Sequence, residues 1–160
     1  MSRVALLIGV SQYPTGLPPM PQVETDLAAL EQVLKSSPVN VVVEQHLLNA
    51  PLVETEAAIE QFFNYRQPQD QAILVMAGYA FLDRKGLLSR RDQIYFTTAD
   101  TAPDRQGQLS KATTIPASFI LEVMNGSPAQ HQVVILDICF RQSFSNEAVS
   151  DQRPVALTLL

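Results

Sequence analysis

The single cysteine of this chain, Cys139, follows an apolar run at residues 133–138 whose sequence is VVILDI. A thiol at the carboxyl end of a buried strand is well placed to act as a nucleophile, although a free cysteine is more often a small buried hydrophobic residue. A nucleophilic thiol needs a base beside it, because the thiolate is the reactive form. The chemistry therefore depends on which side chains the fold brings to Cys139.

The two histidines of the chain are the first candidates for that base. His131 begins the strand that Cys139 ends, and eight residues at about 3.3 Å each separate them by roughly 26 Å. That distance excludes a hydrogen bond between the two side chains. Neither His131 nor His46 has neighbours at the spacing of a zinc site, so we expect no metal and no cofactor.

Short apolar runs and amphipathic segments alternate along the chain and predict the elements that hold Cys139. The runs are rich in Val, Ile and Leu, as expected for strands of a parallel sheet covered on both faces. They comprise residues 4–10, 41–48, 72–77 and 133–136, with a fifth candidate at 155–160 and a small extra strand at 93–97. Three sets of apolar residues at helical spacing lie between them. These sets are Val23, Leu27, Leu30 and Leu34, then Leu52, Ile59, Phe62 and Phe63, then Phe119, Ile120, Val123 and Met124.

This alternation predicts an α/β fold in one domain spanning residues 1–160, a mostly parallel sheet with helices on both faces. Ligands of such sheets bind at the carboxyl ends of the strands. The segments expected to follow the strands, and therefore to form the site, are the loops at 11–22, at Asn49, at 78–81 and at 137–143.

Several familiar classes of protein lack their main signature in this sequence. It has no Gly-x-Gly-x-x-Gly after the first strand, no Walker-type Gly-Lys-Ser/Thr and no Gly-x-Ser-x-Gly. The net charge is −5 and basic residues are scattered, so a nucleic-acid partner is not expected. The apolar run that starts at Val4 is too short for a signal sequence or a membrane span. We therefore expect a cytoplasmic protein.

The segment around Cys139 resembles the prokaryotic caspase-like peptidases, the metacaspases and orthocaspases. That family carries Val-Val-Ile-Leu-Asp-Cys-Cys-Phe-Ser-Gly here, and its second cysteine, the nucleophile, corresponds to Cys139. The opening blocks at residues 5–13, 17–21 and 26–30 and the segments at 95–101 and 114–119 are similar as well. The resemblance covers nearly the whole chain in the right order, and it implies the three-layer caspase-like fold.

The chain departs from the family at the catalytic positions. The family's third strand ends in Tyr-Phe-Ser-Gly-His-Gly, whose histidine activates the cysteine, whereas residues 75–80 read VMAGYA here. Tyr79 therefore occupies the histidine position. A tyrosine keeps its proton at neutral pH, because its unperturbed pKa is near 10, so it is a poor base. The family's Ser-Gly after the cysteine block is Arg141-Gln142, which removes a glycine that helps backbone amides approach an oxyanion.

No other base is expected near the thiol. The family's sheet order places His46 on an edge strand three positions, about 14 Å, from the strand of Cys139. A general base contributes roughly 10²–10⁴ in rate. We therefore predict a pseudo-peptidase that serves as a binding or scaffold module. Two alternatives stay open: a weakly active cysteine endopeptidase that borrows a base from another chain, and a redox-responsive thiol at Cys139.

The resemblance also suggests a substrate pocket and a partner surface. Asp137 stands where the family has an acidic residue for basic substrates, and Gly78 is the second residue assigned to substrate binding. Hydrogen bonding of Asp137 to local backbone amides explains it equally well. The chain corresponds to the family's large-subunit half, and we expect the small-subunit half to be missing or to belong to a longer parent. Residues 154–160 have five aliphatic side chains and no charge, so we expect a protein partner or self-association at this sheet edge.

Overall fold

The computed structural model describes residues 1–14, 16–83 and 93–144, together with the backbone of residues 155–157. These residues form a seven-stranded sheet and three α-helices. In chain order the elements are β1 (Arg3–Gly9), α1 (Gln22–Lys35), β2 (Val42–Leu48), α2 (Leu52–Asn64), β3 (Gln71–Asp83), β4 (Gln93–Thr97), β5 (Thr114–Pro116), α3 (Ala117–Gly126), β6 (His131–Arg141) and β7 (Val155–Leu157).

The strand β3 is the axis of the sheet. On one side it pairs with β6 along its length, in parallel. On the other side it pairs first with β1, in parallel, and then with β4, which runs antiparallel to it. The sheet continues from β1 to β2, from β4 to β5 and from β6 to β7. The four strands β2, β1, β3 and β6 therefore form a parallel core, to which three short antiparallel strands are added.

Helices cover both faces of this sheet, as predicted. Along β3, Leu74 and Met76 pack with α2 and α3, whereas Ile73 and Val75 pack with α1. Alternate residues of a strand point to opposite faces, so the nearly continuous apolar run of β3 supplies both cores. The predicted α/β fold with a mostly parallel sheet is confirmed. None of the helices in the described part of the chain combines the length and hydropathy that a membrane span requires.

Two predicted strand ends are wrong. The apolar runs predict loops at residues 78–81 and 137–143, but residues 78–81 lie within β3 and residues 137–141 lie within β6. The two segments pair with each other as far as Phe81 and Arg141, which satisfies the backbone polar groups that face each other across the two strands. The predicted strand at 93–97 is present. Of the predicted strand at 155–160, residues 155–157 form β7 and residues 158–160 lie outside the described residues. The strand β5 has no counterpart among the predicted strands.

Candidate functional site

The site lies where the carboxyl-terminal halves of β3 and β6 pair. Tyr79 of β3 and Cys139 of β6 are direct partners in the parallel register. Paired residues on neighbouring strands point to the same face of a sheet and lie about 5 Å apart. Cys139 is half-buried and packs against a cluster that includes Tyr79, which is 6% exposed. The structure thus brings together the cysteine and the tyrosine that the sequence analysis singled out.

A gap between β1 and β4 leaves the peptide groups of Tyr79 without a strand partner on one side of β3. The last bond from the β1 side runs from the Val10 N–H to the Ala77 carbonyl (3.0 Å), and pairing with β4 resumes at Ala80. Two side chains fill the gap. The Tyr79 N–H donates to the Tyr13 hydroxyl (3.0 Å), and the Thr97 hydroxyl donates to the Tyr79 carbonyl (2.7 Å).

The Tyr13 hydroxyl is the centre of this arrangement. It lies 3.1 Å from the carbonyl oxygen of Val10, to which it donates, and 3.0 Å from the Thr97 hydroxyl oxygen. Burial raises the pKa of Tyr13 to about 12, although the Thr97 hydroxyl and the Tyr79 N–H, which can donate to a phenolate, oppose the shift. The phenol therefore stays neutral over the physiological pH range and acts as a fixed hydrogen-bonding group.

The Tyr79 ring is enclosed from two sides. Its centroid lies 5.0 Å from that of the Tyr13 ring, and the guanidinium carbon of Arg141 lies 5.1 Å from the Tyr79 centroid. Arg141 is itself 3% exposed, so the cation–π contact is shielded from water. Burial raises the pKa of Tyr79, and the charge of Arg141 only partly opposes this. Tyr79 therefore holds its proton more tightly in the protein than in water, so less of it is present as the phenolate that could accept a proton.

Gly78 lies beneath the Tyr13 hydroxyl. Its φ of +143° is a backbone conformation that other residues rarely adopt. A β-carbon at this position would lie 2.7 Å from the Tyr13 hydroxyl oxygen and 3.2 Å from the Val10 carbonyl oxygen. The glycine thus makes room for the phenol, which is a structural reason for its presence in addition to the predicted contact with substrate.

The two histidines are far from Cys139, as predicted. His131 pairs with Gln71 at the opposite end of β6. The strand of His46 is three positions from β6 in the sheet, which confirms the inferred order, and the register puts His46 level with Ile135. Three strand spacings and four residues together give about 19 Å to Cys139. His46 instead binds Glu31 of α1 through Nδ1 at 2.8 Å.

Asp137 is exposed and lies two residues before Cys139, on the same face of β6. Within the described part of the chain it forms no hydrogen bond or ion pair, so bonding to local amides does not account for it there. In the same residues, no group of three His, Cys, Asp or Glu side chains is arranged to hold a metal ion.

Tyr13 and Thr97 are parts of the site that the sequence pattern does not predict. Tyr13 belongs to the loop after the first strand, which was expected to contribute, but no pattern in the sequence connects it with residue 79. Thr97 ends the extra strand β4, and the sequence of β4 does not predict that it pairs with β3. Both are buried polar residues, so a hydrogen-bond partner for each was to be expected.

Cys139 thus lies toward the carboxyl end of a strand in a mostly parallel sheet, with Tyr79 as its direct neighbour on the next strand. A family model described as the caspase domain matches residues 2–156. The chain therefore belongs to the caspase-domain family. A comparison with curated proteins gives no significant match.

Proposed function

We propose that this caspase domain lacks peptidase activity and acts as a protein-binding or scaffold module. The observation that carries the proposal is the pairing of Cys139 with Tyr79. A buried phenol that keeps its proton stands where a cysteine peptidase needs a group that accepts one. The Arg141 guanidinium over the same ring leaves the site with a cation and a neutral acid beside the thiol.

No histidine of the chain can replace the lost base. The chain has two histidines, and the positions of both put them roughly 19 Å or more from Cys139. A general base contributes roughly 10²–10⁴ in rate, and residues that act as a unit fail together. We therefore expect turnover at background level.

The test is cleavage of reporter peptides that end in Arg or Lys, measured for the wild type, Cys139→Ala and Gln32→Ala. Gln32 is exposed on α1, so its variant controls for handling and folding. We expect all three proteins to give the same background signal. Turnover that is lost in Cys139→Ala but kept in Gln32→Ala would overturn the proposal.

The exposure of Asp137 favours one alternative, a weak cysteine endopeptidase that prefers basic residues. A carboxylate with no partner among the described residues, on the same face as the thiol, is suited to a guanidinium or ammonium group. This alternative requires a base from another chain, so its turnover per molecule would rise with protein concentration. It would also be lost in Asp137→Asn for basic reporters. Absence of both effects supports the inactive module.

For the binding role we propose the β7 edge of the sheet as the contact surface, for a partner strand or a second copy. The opposite edge strand, β2, is poorly suited to add a strand, because its register shifts at Glu44 and a bulge interrupts the row of backbone groups. Arg66 binds Glu44 through both terminal nitrogens at 2.9 and 2.8 Å, which fixes a charge at that edge. The β7 segment pairs regularly with β6 and has no charged residue at 155–157.

Sedimentation velocity separates the two edges. The variant Leu157→Lys/Leu159→Lys adds two charges to the carboxyl-terminal segment, and the matched variant Val42→Lys/Leu48→Lys adds two at exposed residues of β2. We expect the wild type and the β2 variant to associate alike and the carboxyl-terminal variant to remain monomeric. Three identical monomers at all concentrations would rule out self-association through this edge.

A further inference from the structure

The backbone of residue 79 is held by side chains where a neighbouring strand would ordinarily hold it. On the side away from β6, its N–H is bound by Tyr13 and its carbonyl by Thr97, at 3.0 and 2.7 Å. We propose that Tyr13 is a positioning residue of this site: its hydroxyl fixes the peptide of residue 79 and thereby sets where the side chain of that residue lies against Cys139.

The Tyr13 hydroxyl accepts a hydrogen bond from a backbone N–H that no strand satisfies. The strand β1 ends its pairing with β3 at Ala77, and β4 begins at Ala80, so one peptide N–H of a buried strand faces the gap. An unpaired N–H in a buried strand is costly, and such groups are nearly always satisfied. Tyr13 reaches it from a loop 66 residues away in sequence.

The phenol can reach this N–H because two neighbours accommodate it. Gly78 has no β-carbon, which would otherwise lie 2.7 Å from the hydroxyl oxygen. The Val10 carbonyl accepts the hydroxyl hydrogen at 3.1 Å, so the oxygen lone pairs remain free to accept the N–H of Tyr79. A phenylalanine at position 13 would keep the ring but could not hold this peptide.

The ring of Tyr13 also supports the side chain that its hydroxyl positions. The Tyr13 and Tyr79 rings lie 5.0 Å apart and are tilted by 50°. Cys139 packs against the cluster that contains both rings, and it is the register partner of Tyr79 on the neighbouring strand β6. Releasing the peptide of residue 79 should therefore let its side chain move and expose the thiol. This inference concerns where residue 79 lies, so it holds whether or not the domain cleaves peptides.

The experiment compares Tyr13→Phe with Tyr95→Phe. Tyr95 belongs to the same aromatic cluster, but its hydroxyl binds Gln93 at 2.6 Å and does not contact the residue-79 peptide. Two quantities are measured: hydrogen exchange of the Tyr79 amide by NMR, and native-state alkylation of Cys139 by a bulky and by a small thiol reagent. Exchange of the Leu74 amide, in the buried centre of β3, reports the global stability of each protein.

In Tyr13→Phe we expect the Tyr79 amide to exchange about 10-fold faster or more relative to Leu74, since it loses its acceptor. We also expect Cys139 to react several-fold faster with the bulky reagent, whereas Tyr95→Phe behaves like the wild type. Equal acceleration at Tyr79 and Leu74 would mean that Tyr13 contributes stability only. Unchanged exchange and alkylation would also overturn the proposal.

A second pair of variants keeps the test decisive if Tyr13→Phe does not fold. Thr97→Val removes the hydroxyl that holds the carbonyl of residue 79, whereas Thr97→Ser keeps it. We expect the valine variant to expose Cys139 to the bulky reagent and the serine variant to restore protection. Identical alkylation of the two variants would show that the hydrogen bonds to the peptide groups of residue 79 do not position its side chain.

Discussion

Gly78 lies in β3 directly below the Tyr13 hydroxyl. Replacing it by alanine should lower the free energy of unfolding for two reasons. The first is backbone strain, because φ at residue 78 is +143°. The second is steric, because the new β-carbon would lie 2.7 Å from the hydroxyl oxygen of Tyr13. The Tyr13 hydroxyl must then move away from the N–H of Tyr79 that it binds.

The expected cost follows from these two terms. A non-glycine residue in a sparsely populated backbone region costs about 1–3 kcal/mol. A buried N–H that loses its acceptor costs about 1–3 kcal/mol more. Gly78→Ala should therefore lower the free energy of unfolding by about 2–6 kcal/mol. For a chain of this size that corresponds to a fall in Tm of about 4–24 °C.

The assay is urea denaturation of Gly78→Ala, with Gly126→Ala as the matched control. Gly126 ends α3, has no atom within 4 Å of the added carbon, and should change stability little. A third protein, Gly78→Ala in the Tyr13→Phe background, tests the steric term, because phenylalanine lacks the oxygen that the β-carbon meets. There the glycine substitution should cost less than in the wild type. If Gly78→Ala is as stable as the wild type, the arrangement of Tyr13 above Gly78 is wrong.

Two further predictions follow from the same cluster. Burial raises the pKa of Tyr13 to about 12, above its unfolded value near 10, so the folded state holds this proton more tightly. Stability from this group is complete below about pH 10 and is lost as the pH rises toward 12, so between pH 9 and 11.5 the wild type should lose about 2 kcal/mol more than Tyr13→Phe in urea denaturation. Equal losses would contradict the burial of the phenol. The variant Tyr79→His should cleave Arg- and Lys-terminated reporters no better than Cys139→Ala, because the Arg141 guanidinium beside residue 79 and the Arg141-Gln142 sequence remain. Strong cleavage by Tyr79→His would show that the tyrosine alone blocks catalysis.

Much of the fold could be predicted because its information is local. The Val-, Ile- and Leu-rich runs identified the parallel strands, and the helical spacing of sets such as Val23, Leu27 and Leu34 identified the helices. The linked sequence blocks then indicated the caspase-like fold and aligned Cys139 and Tyr79 with its catalytic pair. The register confirms that Tyr79 and Cys139 are direct neighbours on adjacent strands.

The ends of the strands could not be predicted in the same way. The apolar run of β6 is broken by Asp137, which suggested a loop, yet pairing continues to Arg141 because the facing segment of β3 continues as well. The end of β6 therefore depends on how far its partner strand extends, and that partner lies about 60 residues earlier in the sequence. The local composition of β6 does not contain this information.

The hydrogen bonds of the site are also a property of the tertiary structure. Tyr13, Tyr79 and Thr97 are separated by 66 and 18 residues, and they meet because β1 stops short of β4 beside β3. The sequence alone predicts that Tyr79 stands where the family that it resembles has its catalytic histidine. Only the packed sheet decided that this tyrosine is buried under Arg141 and held by Tyr13, because burial and hydrogen bonding depend on residues that become neighbours only when the chain folds.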